Sequence, residues 1–130
     1  MTQTATPTKC TECHRPLRAA TSIARGRGPV CDLKVRRRAA AERLARPFKD
    51  ADRAATKALR HLADKALVPT AAARQYLMVA TAGDATYLVD TIARTCTCKA
   101  HQHHSRCTHL LAADVAEITT SRRAAYALAA

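Results

Sequence analysis

Six cysteines fall in two tight groups, and their spacing decides how a chain of 130 residues like this one can fold. The first group is Cys10-x-x-Cys13, with Cys31 following after seventeen residues. The second is Cys96-Thr97-Cys98, then eight residues, then Cys107-Thr108-His109. Little else is available to fold around. Alanine supplies 30 residues, whereas Leu, Ile, Val and Phe together supply 21, with Phe48 the one phenylalanine and no tryptophan. So few bulky apolar side chains at a net charge of +12 is the range in which chains stay unfolded unless something beyond apolar burial holds them. A sizeable catalytic domain is excluded. Six cysteines and six histidines point to metal ions as the missing support.

The first nine residues are polar and lack the apolar stretch of a secretory signal, and no run of about 18 apolar residues occurs. A cytoplasmic chain without membrane contact is the expectation. In a reducing compartment clustered cysteines serve as metal ligands rather than disulfides.

Four segments are expected. Residues 1–32 carry Pro16, Gly26, Gly28 and Pro29 and read as a knuckle-like loop structure. Residues 33–68 read as basic, alanine-rich helix: Leu44, Phe48, Ala51, Ala55, Leu59, Leu62 and Ala66 recur at steps of three and four, the spacing of one helix face. Pro47 predicts a kink there, or a second helix with Pro47 in its first turn, and Pro69 ends the stretch. Residues 74–120 hold two strand-like runs, 75–81 and 86–92, around the turn signal Ala82-Gly83-Asp84-Ala85, which predicts a hairpin. A helix over 108–118 follows, and 121–130 is a helical or frayed tail.

Zinc takes four soft or borderline ligands in a tetrahedron, and two short ligand pairs joined by a loop provide them. Cys96, Cys98, Cys107 and His109 fit that scheme, with Cys107 at a helix N-terminus where the dipole favours a thiolate. His101, His103 and His104 in the loop compete with His109, which is preferred because it starts the same helix as Cys107. With Tyr87-Leu88-Val89 before the first pair and Leu110-Leu111-Ala112 after the second, residues 76–118 resemble the SWIM zinc finger. That family carries C-x-C-x(n)-C-x-H on a ββα unit in bacterial proteins, plant transposases and chromatin-remodelling ATPases. The resemblance implies zinc on those four residues and binding to DNA or proteins. Thr108 stands where the family often has a basic residue, which weakens the case for a phosphate contact there.

Cys10, Cys13 and Cys31 are three ligands of a second expected zinc site, since a C-x-x-C turn aims two sulfurs at one metal. The segment resembles a small uncharacterised bacterial and phage domain with a C-x-x-C-G-R-x-L … G-x-G-P-x-C pattern, except that His14 stands where glycine is usual. The fourth ligand stays open between Asp32, His61, water and a partner's side chain; His14 adjoins Cys13 and would strain the chelate. A redox C-x-x-C lacks its βαβ surroundings, and a catalytic zinc lacks a nearby general base.

The charge is lopsided: residues 1–75 carry 17 Lys and Arg against 6 Asp and Glu, whereas residues 76–130 carry 5 against 4. Arg15, Arg18, Arg25, Arg27, Arg36, Arg37, Arg38 and Arg43 are the candidate contacts to nucleic-acid phosphates. Few aromatic residues accompany them, so binding to DNA or RNA is expected to be of low sequence specificity. The expectation is a small α+β protein with a zinc-stabilised knuckle, a helical middle and a C-terminal ββα finger. A non-enzymatic zinc protein that contacts nucleic acid, without a small-molecule substrate, is the expected function. The alternative is a protein–protein adaptor docking through the finger.

Overall fold

The computed structural model describes residues 9–80, 83–104 and 106–120. The expected tail, 121–130, lies outside them, as do Thr81 and Ala82 of the expected hairpin turn. The described residues form five helices and four strands, and the chain divides into two compact units, Met1–Arg36 and Arg37–Ala130.

In the first unit a short antiparallel bridge pairs Lys9 with Pro16. Inside it the Cys10 N–H donates to the Arg15 carbonyl (2.9 Å) and the His14 N–H to the Cys10 carbonyl (2.9 Å). The loop that follows is not irregular throughout, because α1 (Ala20–Arg25) forms in it. Gly26 ends α1 in the left-handed region, φ 79°, with its N–H on the Ser22 and Ile23 carbonyls, as glycine does at helix ends. Then α2 (Pro29–Leu44) begins four residues ahead of the expected helical segment, 33–68. Pro29 takes the first helical position, where its missing N–H costs nothing, so Cys31 lies within the helix rather than before it.

The second unit holds the rest of α2, α3 (Ala51–Ala63), β1 (Leu67–Pro69), β2 (Gln75–Val79), β3 (Thr86–Asp90), β4 (Thr95–Cys96), α4 (Lys99–His104) and α5 (Thr108–Thr119). From Arg37 onward the middle segment thus falls in the same compact unit as the finger segment. Pro47 falls in the break between α2 and α3, not in a helix. The break ends at Asp50, whose carboxylate accepts the Arg53 N–H (3.1 Å) and caps α3, worth about 1 kcal/mol. At its other end α3 stops at Ala63 rather than running on to Ala66. Lys65 turns left-handed (φ 55°), and the Lys65 and Ala66 N–H groups reach back to the Leu62 and His61 carbonyls. This is a Schellman closure with lysine in the usual glycine place.

The sheet is antiparallel in the order β1-β2-β3-β4, with Tyr76 opposite Val89, Met78 opposite Tyr87 and Val89 opposite Cys96. Alternation sends Tyr76, Met78 and Val89 inward. Val68, Leu77, Val79 and Leu88 face solvent. The core is built from small residues: Ala40, Ala41, Ala45, Ala54, Ala55 and Ala58 from α2, α3 and the break, and Ala112 and Ala113 from α5, around Met78, Val89, Leu111 and Val115. Alanine faces let helices approach closely, so the shortage of large apolar residues is met by tight packing. Salt links tie α5 to two reversals of the sheet. Arg94 grips Asp114 with two bonds (2.7 and 2.8 Å). Glu117 receives Arg74 (3.1 Å), the Tyr76 hydroxyl (2.9 Å) and the Thr91 hydroxyl (2.6 Å). Burial and this carboxylate push the Tyr76 phenol up to about 12.

Candidate metal centres

The second unit gathers Cys96, Cys98, Cys107 and His109 so that their donor atoms all lie within 4.8 Å of one another. Cys96 ends β4, Cys98 precedes α4, Cys107 caps α5, and His109 sits in the first turn of α5. The Cys96 Sγ to His109 Nδ1 distance is 3.7 Å. Bonds of about 2.3 Å to sulfur and 2.0 Å to nitrogen place tetrahedral neighbours roughly 3.5–3.8 Å apart, so this edge already has the length zinc needs. Backbone amides point at the sulfurs: His101 N–H at Cys98 and Leu110 N–H at Cys107, each at 3.4 Å. The three cysteines are 3–4% exposed. Burial pushes the Cys96 and Cys107 thiols up and holds His109 down at about 4. Burial that disfavours charge on Cys96 and Cys107 is what a divalent ion would offset by stabilising their thiolates.

Two rings outside the ligand group flank His109. Tyr87 stacks on it at 5.1 Å between ring centres, and His61 lies at 5.0 Å with its Nε2 at 3.3 Å from the Thr108 hydroxyl. The period-two pattern of β3 did put Tyr87 on the inner face, beside Val89. His61 was weighed as a ligand for the N-terminal group; it packs beside His109 instead. His101 and His103 lie outside the ligand group, and the side chain of His104 lies outside the described residues.

In the first unit the donor atoms of Cys10, Cys13 and Cys31 also lie within 4.8 Å of one another, with Cys10 buried, Cys13 exposed and Cys31 between. N–H groups of Cys13 and then Gly28 bring Cys10 down to about 6, while hydrogen bonds to Cys13 and Cys10 push Cys31 up to about 11. The Cys10 sulfur thus accepts hydrogen bonds that favour its thiolate, the form that binds a metal ion. The group opens on a cavity of about 560 Å³ also lined by Arg15, Arg18 and Lys34. Asp32, the other weighed ligand, is occupied elsewhere: it faces Arg27 (3.1 Å), Arg36 (3.3 Å) and Arg25 (3.8 Å).

That carboxylate draws three of the eight expected phosphate contacts onto itself. Of the others, Arg15, Arg18, Arg38 and Arg43 are exposed and Arg37 is half-buried. Consecutive helical residues point about a quarter-turn or more apart, so Arg36, Arg37 and Arg38 fan around α2 instead of sharing one face.

The molecule is thus a small α+β chain with two cysteine-rich groups, each able to hold a metal ion and each consistent with zinc. Residues 1–36 match DUF6011, a family of unknown function, and the match spans the same residues as the first compact unit. No curated protein and no solved structure matches the chain. No helix among the described residues is long and apolar enough to cross a membrane.

Proposed function

We propose that this chain is a two-zinc, non-enzymatic protein that engages nucleic acid through its basic surface, with a SWIM-type finger in the second unit and a zinc knuckle in the first. The observation that carries the reading is the convergence of four donors in one unit and three in the other, each set within 4.8 Å. The strand–loop–helix placement of Cys96, Cys98, Cys107 and His109 supports the finger assignment. The charge of +12 supports a polyanionic partner.

Metal analysis of the purified chain tests the first half. Close to two zinc ions per chain are expected, falling to one in Cys98→Ser. A wild-type chain that binds no zinc, or a Cys98→Ser chain that keeps its full complement, overturns the finger. The second half is read from duplex binding over a salt series, where log affinity should fall linearly with log salt. No binding near physiological salt would favour the adaptor reading instead.

A further inference from the structure

Lys49, Arg53, Lys57 and His61 recur at every fourth position, which places the last three on one stripe of α3 with Lys49 just ahead of it. Lys49, Arg53 and Lys57 meet Arg106, from the far end of the chain, around a cavity of about 460 Å³ whose wall includes Phe48 and Thr108. That volume is within the roughly 300–1,000 Å³ of ligand sites. All four cations are exposed. Arg106 is anchored there, its guanidinium donating to the Pro47 carbonyl at 2.8 Å.

The other arginines that hold acids in this fold are spoken for: Arg25, Arg27 and Arg36 on Asp32, Arg74 on Glu117 and Arg94 on Asp114. Among the described residues, Lys49, Arg53, Lys57 and Arg106 belong to no ion pair. The one carboxylate on the cavity, Asp50, is engaged in capping α3. Four positive charges and one carboxylate therefore line one concave surface, a balance of +3. The first turn of α5, at Thr108, adds the positive end of a twelve-residue helix.

We propose that this cavity seats the phosphodiester backbone of a nucleic acid, with Lys49, Arg53, Lys57 and Arg106 as the contacts. The inference rests on the nucleic-acid reading above and moves its centre from the arginines of residues 15–43 into the second unit, next to Cys107 and His109. A polyanion suits the site better than a single small anion. Arg53 and Lys57 stand about one helical turn apart, roughly 6 Å, and the cations are exposed along a stripe rather than buried around one point.

The test uses the full, zinc-loaded chain and a labelled random-sequence duplex, followed by fluorescence anisotropy across a salt series. The variant Lys49→Gln/Arg53→Gln/Lys57→Gln should keep its zinc, bind about tenfold more weakly or worse, and lower the salt slope by about 0.9 for each lost contact. Arg36→Ala/Arg37→Ala/Arg38→Ala should cost less, since Arg36 is held by Asp32 and Arg37 is half-buried. If wild type binds no duplex, the nucleic-acid reading and this site fall together. If it binds and the glutamine variant matches it, the site alone is wrong. Displacement of the duplex by inorganic phosphate, at an ionic strength where chloride does not displace it, would make this a free-phosphate site and overturn the assignment. Should the triple variant lose zinc, Arg53→Gln and Lys57→Gln singly carry the comparison, each expected to weaken binding several-fold.

Discussion

The two cysteine groups are embedded in opposite ways. Cys96, Cys98 and Cys107 are members of the apolar core of their unit, packed with Met78, Val89, Leu110 and Val115. Cys10, by contrast, is buried almost alone: among the described residues of the first unit, only Ser22 and Gly26 join it inside. Units of fewer than about 40 residues rarely bury enough surface to fold unaided. The lesson is that one ligand pattern can serve two purposes. In the first unit a metal ion would be the core; in the second it would be set into a core that exists already.

The largest effect that could break this contrast is metal removal. A structural zinc contributes on the order of 10–16 kcal/mol to small zinc domains, which nothing in the first unit could replace. After treatment with a strong chelator, amides of residues 9–36 should lose all protection from hydrogen exchange. Amides of β2, β3 and α5 should keep a measurable part of theirs. The reason is chemical: burial already holds the Cys96 and Cys107 thiols neutral, and a neutral buried thiol behaves as a small apolar group. Simultaneous loss of protection in both units would show that the second core cannot stand without its metal.

Both ligand groups were legible in the sequence because their spacing is local and the chemistry needs few residue types. The hairpin and α5 were legible through their periods of two and three to four. What escaped were the reversals. His14, Lys65, Arg74 and Arg94 all take positive φ, between 55° and 63°, without being glycine. A reader who uses glycine to find chain reversals misses them. Hence the end of α3 at Ala63, closed by Lys65, and the short edge strands β1 and β4 on either side of the hairpin were invisible. The cation-lined cavity escaped for another reason. Counting charge by halves set Lys49, Arg53 and Lys57 apart from Arg106, although Arg106 reaches Pro47 across 59 positions.

A second, smaller effect sharpens the contrast from the side of the apolar core. Met78 is fully buried on the inner face of β2, and the alanines around it cannot extend to fill a void. Met78→Ala should therefore cost about 2–5 kcal/mol, read as a lower denaturant midpoint for the second unit in the zinc-loaded protein. Zinc bound by Cys10, Cys13 and Cys31 should be unchanged. A loss below 1 kcal/mol would mean that the metal, not the packing, carries this unit as well.

The smallest effect lies in the first unit, at His14. Its φ of 61° is in the left-handed region, at the turn where its N–H closes on the Cys10 carbonyl. A residue with a Cβ is strained there by roughly 1–2 kcal/mol, and glycine is not. Glycine loses more chain entropy on folding, which offsets up to about 1 kcal/mol of that relief. His14→Gly should thus strengthen zinc retention by the first unit slightly, by about 0.5–1 kcal/mol. His14→Val should weaken it, because a β-branched side chain fits this conformation worst. Competition with a metal-binding dye, monitoring the zinc held by Cys10, Cys13 and Cys31, gives the order. The same series asks whether His14 supplies the fourth ligand. A ligand would reverse the first result, since glycine cannot coordinate through a side chain, and both variants would then release zinc together. Retention in the order Gly, His, Val instead assigns His14 to the backbone turn alone and removes it from the candidates for the fourth ligand.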